Sequence, residues 1–357
     1  NERAQQPFDL AAGPLLRLHL ARLSEHDHAL LLVMHHIISD GWSLTIFFQE
    51  LEALYNAFAD RKPDPALPGL PVQYADFAHW KRQSLHGVAL DRELRFWTER
   101  LAGAPPSIAL PPDPVGNAAE RRAERKTLRL PAGITDRITA LSQRESTTPF
   151  AVLFTALAIT LEKWTRQHDM VIGTVVAGRN RREIENVIGC FMNFLPIRTH
   201  VAGQESGLDL LRRVKGAVLD AQSHQDCPFE KIVEAVNPER RQDRNPLYNV
   251  ALLLQNFPPQ LFNGIRLSAE PIPVEMHDPL LDIRLEAEVA GDTLLIACEY
   301  KTNLFAPDTV DHFLASYCGV LERLLSEPGC PLSRFALTKE LAAQAEASRK
   351  HAEALLQ

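Results

Sequence analysis

A short, unbroken apolar run, Ala29 to Met34, is followed after a polar loop by an amphipathic stretch. The run is too short for a buried helix. It reads as a strand buried on both faces and central in its sheet, with a neighbour on each side. Leu44, Phe47, Phe48, Leu51, Leu54, Tyr55 and Phe58 then recur at helical spacing, with Ser43 placed to cap the helix. Strand, loop and helix in that order belong to an α/β or mixed α+β architecture, and loops of this kind carry chemistry.

The rest of the chain fits that class. Thr148-Pro149 opens a helix to about Arg166, and Met170 to Ala177 is a strand. Leu208 to His224 is a helix, Pro228 opens another, and Tyr248 to Gln255 is a strand. Leu281–Val289 and Thr293–Tyr300 form a hairpin about Gly291-Asp292. Pro307 opens a last large helix with Val310, Phe313, Leu314, Tyr317, Leu321 and Leu324 on one face. At 357 residues the chain exceeds a usual single domain, so two lobes are expected. Two Pro-rich stretches, Lys62 to Pro71 and Gly103 to Pro114, read as surface linkers. The lobe boundary is placed after the second, giving residues 1–118 and 119–357.

A net charge of −7 with mixed signs leaves no basic footprint for nucleic acid, and no apolar stretch approaches a membrane span. Arg179, Arg181 and Arg182 read as a solvated loop, not a phosphate site. The five cysteines are odd in number and lack a Cys-x-x-Cys pair, which fits a reduced, cytoplasmic protein with buried thiols.

Chemistry concentrates in the loop His35-His36-Ile-Ile-Ser39-Asp40-Gly41-Trp42-Ser43. Adjacent strand residues point to opposite faces, which argues against one metal ion shared by His35 and His36. His35 reads as a satisfied structural histidine. His36, next to Asp40 and Gly41, reads as a general base. An aspartate in such a loop fixes a histidine or arginine by a charge-assisted hydrogen bond, and a glycine lets the backbone approach a ligand. No nucleophile elbow, P-loop or dinucleotide fingerprint occurs. With no covalent nucleophile evident, direct acyl transfer to an amine or alcohol is the residual class.

These residues resemble a known family. His35 to Gly41 is similar to the His-His-x-x-x-Asp-Gly motif of non-ribosomal peptide condensation domains, shared with the chloramphenicol acetyltransferase superfamily. Tyr74 to Trp80, Ile188 to Asn193 with Arg198, His224 to Glu230, and Arg241 to Leu247 resemble that family's later motifs, in order. Two earlier motifs would precede Pro7, and the chain lacks them. It therefore reads as an excised piece with an incomplete N-terminal lobe. The family's arginine partner for the loop aspartate is not evident and is expected in the missing part. Asp243 replaces a common serine, and Leu280-Leu281 precede the retained Asp282, as in condensation domains that follow polyketide modules.

The resemblance implies two chloramphenicol-acetyltransferase-like lobes in a V, and amide formation between a carrier-bound acyl thioester and a carrier-bound aminoacyl group. It places His36, Asp40 and Gly41 in the catalytic set and His35, Trp42, Ser43 and Asn245 beside substrate. Asp40 is read as shaping the loop. Gly41 is read as leaving room for the arm and offering a backbone N–H. No metal and no bound cofactor are expected, since substrates arrive on phosphopantetheine arms. The implied partners are upstream and downstream carrier domains and an adjacent adenylation domain, with no nucleic acid and no membrane. His35 disfavours heterocyclisation and Gly41-Trp42 disfavours epimerisation. An ester-forming enzyme and a non-catalytic carrier-docking domain stand as alternatives.

A central strand without a neighbour exposes backbone donors and acceptors and uncovers core. The 357-residue chain alone is therefore expected to aggregate and to be inactive, with natural upstream sequence restoring both properties. Side-by-side monodispersity and condensation assays check this, and a monomeric, active 357-residue protein would refute it.

Overall fold

A computed structural model describes residues 3–62, 67–113, 122–238, 245–255, 268–270, 272, 280–290 and 293–355. Backbone contacts group the chain into two units, as far as the residues are described. One holds Asn1–His86, Ala177–Asn193 and Phe257–Glu275. The other holds Gly87–Val176, Phe194–Asn256 and Met276–Gln357. The expected boundary at 118 falls within 114–121, outside the described residues. Among the described residues the division comes earlier, between His86 and Gly87.

In the first unit, β1 (Leu16–Arg22) pairs antiparallel with β2 (His28–Met34) in register from Leu16↔Met34 to Arg22↔His28. β2 is the expected strand, but its surroundings differ from expectation. Among the described residues the sheet has two strands, and no β2 residue is fully buried. Leu18, Leu20 and Leu30 lie on one face, since cross-strand partners share a side, and all are exposed, Leu20 by 70%. The uniform apolar run suggested two covered faces. Among the described residues no layer covers this one. α1 (Gly41–Ala59) and α2 (Tyr74–Ser84) follow, the latter closed at its start by a hydrogen bond from Gln73 N–H to Asp76 Oδ2.

The second unit opens with α3 (Val88–Leu101), which buries Glu93, Trp97 and Leu101. Then come β3 (Ala123–Arg129), α4 (Ile134–Arg144), α5 (Pro149–Thr165) and β4 (Asp169–Val176). The chain leaves to supply residues 177–193 to the first unit and returns as β5 (Asn193–His200). α6 (Gly207–Ser223), α7 (Phe229–Val236), β6 (Val250–Gln255), β7 (Ile283–Ala290), β8 (Thr293–Lys301), α8 (Pro307–Ser326) and α9 (Lys339–Leu355) complete it. The six strands run in the order β3-β8-β7-β6-β4-β5. β4, β6 and β7 are parallel neighbours, while β8 is antiparallel to both β3 and β7. The expected hairpin is present, with Ala290 opposite Thr293; its turn, Gly291-Asp292, lies outside the described residues.

α5 explains why this unit is solid. Thr148 caps it by accepting the Ala151 N–H at 3.2 Å, Pro149 occupies its first turn, and Arg166 ends it with a left-handed φ of 59°. Every residue from Ala151 to Glu162 is buried. A helix apolar on nearly all sides belongs at the centre of a core, and the main hydrophobic cluster surrounds it.

A polar cluster is buried beside that core. Lys301 Nζ donates to Asp282 Oδ1 at 2.9 Å, and Asn249 Nδ2 donates to Asp282 Oδ2 at 2.9 Å. Asn249 also accepts from Ile108 N–H at 2.8 Å and donates to the Ile108 carbonyl at 2.9 Å. The ends of three strands and the Pro-rich segment are thereby tied at one point. Breaking a buried pair from one side costs more than replacing both partners. Asp282→Leu and Lys301→Met are each expected to lower unfolding free energy by ~3–5 kcal/mol, with the double variant recovering part of the loss. Urea unfolding of the four proteins checks this. Singles close to wild type would show the pair to be energetically idle.

Candidate active site

β2 delivers the chain to the histidine loop. The His35 N–H donates to the Leu15 carbonyl at 3.0 Å, so the β-ladder extends one residue past the strand. His35 caps a single 3₁₀ turn, His36–Ile38, with its Nδ1 accepting the Ile37 N–H at 3.1 Å. Phe8 packs against its ring at a near right angle. The His35 side chain thus closes the turn on itself while remaining partly exposed. His36, one residue on, is exposed.

Ser39 and Asp40 then turn inward and are buried. Asp40, not Ser43, is the N-cap of α1: its Oδ1 accepts the Ser43 N–H at 2.8 Å. The reason is geometric. The cap residue needs extended backbone, which Asp40 has at φ −131°, while Ser43 lies inside the helix. Ser43 was also expected to meet substrate, but its side chain is fully buried and its hydroxyl is committed. The hydroxyl proton lies between Asp40 Oδ1 at 2.7 Å and the Gly189 carbonyl at 2.8 Å. Its oxygen accepts from Gly189 N–H at 3.1 Å and from Arg179 Nη2 at 3.0 Å.

Arg179 is the partner that the sequence reading did not find. It lies within the chain, in the run read as a solvated loop, and not in any upstream part. Its side chain is 2% exposed and that of Asp40 4%. Nη2 meets Asp40 Oδ1 at 3.1 Å and Oδ2 at 3.4 Å, while Nη1 donates to the Ile184 and Val187 carbonyls at 2.7 Å each. Phe191 N–H donates to Asp40 Oδ2 at 3.0 Å, and the guanidinium lies over the Phe191 ring at 4.1 Å. Burial pulls the Arg179 pKa down, and the charge of Asp40 opposes that shift. Net charge could not expose this residue, because Arg181 and Arg182 beside it behave as expected of a surface run. Its distinguishing signal is Gly178. That glycine has a φ of +64°, and a Cβ there would fall 2.0 Å from the Phe191 carbonyl oxygen.

The later motifs pack around this ion pair. A Cβ on Gly189 would lie 2.2 Å from the Tyr74 ring, so only glycine lets the segment close on α2. Tyr74 Oη donates to the Cys190 carbonyl at 2.8 Å. Tyr74 meets the Phe191 ring edge-to-face and Phe77 packs tilted against it, within a small cluster that includes Ile184 and Val187. This supports reading Tyr74, Phe77 and Trp80 as packing residues; Trp80 carries Arg181 over its ring at 4.1 Å. The Trp42 indole N–H donates to the Glu185 carbonyl at 2.9 Å. Gly41 is exposed at the first turn of α1. Asn245 belongs to the second unit, where its Oδ1 accepts the Leu247 N–H at 3.1 Å. Asp243 lies outside the described residues. Among the described residues no group of three or more His, Cys, Asp or Glu side chains is placed to hold a metal ion.

A family model described as the condensation domain matches residues 1–345. One of the linear gramicidin synthase proteins of Brevibacillus parabrevis is 37% identical over 342 residues, 95% of this chain and 4% of that protein. Phosphinothricin tripeptide synthetase PhsC of Streptomyces viridochromogenes is 37% identical over 334 residues, 93% of this chain and 31% of its own length. The chain therefore spans a minor part of these relatives. Among solved structures, the X-domain from teicoplanin biosynthesis has a TM-score of 0.82 at 29% identity, covering 94% of this chain and 77% of that one.

Asp40→Ala and Arg179→Ala should each destabilise the protein by ~3–5 kcal/mol, since each strands a buried charge. Arg179→Lys should not restore stability, because an ammonium cannot span the carbonyls and the carboxylate together. Thermal and urea unfolding check this. An Asp40→Ala protein that melts like wild type yet is inactive would move Asp40 from scaffold to chemistry.

Proposed function

The chain belongs to the condensation-domain family, and we propose that it joins a carrier-bound acyl thioester to the α-amine of a carrier-bound aminoacyl group. The observation that carries the reading is the contrast around His36. Ser39 and Asp40, which follow the 3₁₀ turn, are buried, whereas His36, on the turn itself, is exposed. A rigid turn presenting one exposed imidazole suits a reaction that needs a base at a fixed place.

The chemistry calls for such a group. An α-amine with a pKa of about 8 is mostly protonated at neutral pH and is then not nucleophilic. A neutral imidazole takes that proton, or holds the amine and the tetrahedral intermediate by hydrogen bonds. As the amine nitrogen bonds to the thioester carbonyl carbon, the oxygen gains charge. The carbon–sulfur bond then breaks and the arm leaves as a thiol. The Gly41 N–H, at the exposed first turn of α1, is the backbone donor assigned to the oxygen. His35 and Asp40 act through the loop that they hold. In this reading both substrates come on phosphopantetheine arms, the partners are carrier domains with an adenylation domain nearby, and the setting is the cytoplasm. None of the described helices is long and apolar enough to cross a membrane.

One finding favours a second reading. A solved complex joins the teicoplanin X-domain with OxyB, and that X-domain has a TM-score of 0.82 to this chain at 30% identity. The same fold could then serve here as a non-catalytic recruiting surface. His36→Ala separates the two. The proposal expects amide formation from pre-loaded carriers, with the domain in its parent protein, to fall by ~10²-fold or more with melting unchanged. Activity within a few fold of wild type would remove His36 from the chemistry, and an inactive wild type would favour recruitment.

A further inference from the structure

The Asp40–Arg179 pair draws the start of α1 and the segment before β5 together, but attraction between charges does not by itself fix their register. A single guanidinium nitrogen, Nη2, meets the carboxylate, at 3.1 and 3.4 Å, in place of the two parallel bonds of a fork. The contact that fixes register is a hydroxyl. Ser43 Oγ lies 2.7 Å from Asp40 Oδ1 and 2.8 Å from the Gly189 carbonyl, and it accepts from Gly189 N–H at 3.1 Å and from Arg179 Nη2 at 3.0 Å. A hydroxyl has one proton and two lone pairs. These four neighbours use its whole capacity, and the residue is fully buried, so none of that capacity is open to substrate.

Restraint spreads from this atom in two directions. Asp40 Oδ1 receives both the N–H and the hydroxyl of Ser43, and both backbone polar groups of Gly189 end on the same hydroxyl. Beyond Gly189, the Cys190 carbonyl accepts from Tyr74 and Phe191 N–H donates to Asp40 Oδ2. On the other side, Asp40 and Ser39 are buried directly after the 3₁₀ turn. There Ile38 N–H donates to the His35 carbonyl at 3.1 Å and Ser39 N–H to the His36 carbonyl at 3.4 Å. What holds the Asp40 carboxylate therefore holds the turn that carries His36. Thr45, two residues further along α1, offers a contrast: its hydroxyl oxygen is buried and has no hydrogen-bond partner among the described residues.

We propose that Ser43 is a positioning residue for the condensation reaction, whose hydroxyl sets where the His36 imidazole stands by joining Asp40, Arg179 and Gly189 at one atom. This rests on the reading that places the reacting amine at His36. Removing the hydroxyl keeps both charges of the ion pair, so the effect is displacement of the turn and not loss of a charge. Misplacing a reacting group by about 1 Å slows the reaction of bound substrate by up to about a hundred-fold.

The test compares Ser43→Ala with Thr45→Val, each removing one buried hydroxyl from α1, with the domain in its parent protein. Melting curves establish that each is folded. With pre-loaded carriers, Ser43→Ala should lower kcat about ten-fold or more with KM for both carriers within about two-fold. Thr45→Val should keep both constants. Hydrogen exchange read by mass spectrometry should quicken over residues 36–40 and 187–191 in the Ser43 variant alone. If Ser43→Ala does not fold, Ser43→Cys is read in its place, since it keeps the size of the side chain with a weaker donor and acceptor, and the same two readouts should change. A folded Ser43 variant with unchanged kcat overturns the inference, because the hydroxyl would then serve stability alone. A raised KM at constant kcat also overturns it, because the effect would lie in carrier binding. If the wild type makes no amide, the proposed function fails by itself. Exchange over the His36 turn then decides the inference, with faster exchange in the Ser43 variant supporting it and unchanged exchange refuting it.

Discussion

A buried ion pair between Asp40 and Arg179 organises the candidate site. It joins two segments 139 residues apart in sequence. Asp40 caps α1, Arg179 closes the loop after β4 by binding two carbonyls, and Ser43 bridges both to Gly189. Ion pairs in water contribute little, but removing one partner of a buried pair leaves an uncompensated charge. The value of this pair therefore lies in specificity of arrangement. It sets where α1 begins, and so where the 3₁₀ turn and His36 must stand.

The second unit uses the same device at another place. Asp282, Lys301 and Asn249 tie three strand ends to the segment at Ile108, within a core built around α5. The large sheet and its helices hold shape through apolar burial, the dominant favourable term in folding. The first unit has a small cluster about Phe191 and a two-stranded sheet. There, polar contacts carry more of the positional burden.

Much of the fold was legible because its signals are local. Thr148-Pro149 and Pro307 mark helix starts through side-chain capping and fixed φ, and the apolar face of 310–324 is set by helical period. The mixed α/β class follows from those elements. The misreadings concern relations between distant residues. Ser43 was expected to cap α1, but the extended backbone that a cap needs lies at Asp40, three residues earlier. Ala29 to Met34 of β2 is apolar throughout, yet composition does not reveal which face has a neighbour. Arg179 resembles Arg181 and Arg182 by charge alone. What separates it is Gly178 before it, where a positive φ and the nearby Phe191 carbonyl leave no room for a side chain, and a carboxylate far back in the chain.

The central claim is that Asp40 and Arg179 act as one unit to hold the turn that presents His36. A double-mutant cycle on single-turnover amide formation tests it most directly, using Asp40→Asn, Arg179→Met and the pair together in folded protein. If the two residues act as one unit, the double variant loses about as much activity as the worse single, because the first change already releases the turn. Losses that multiply across the two variants would show independent roles and contradict the account.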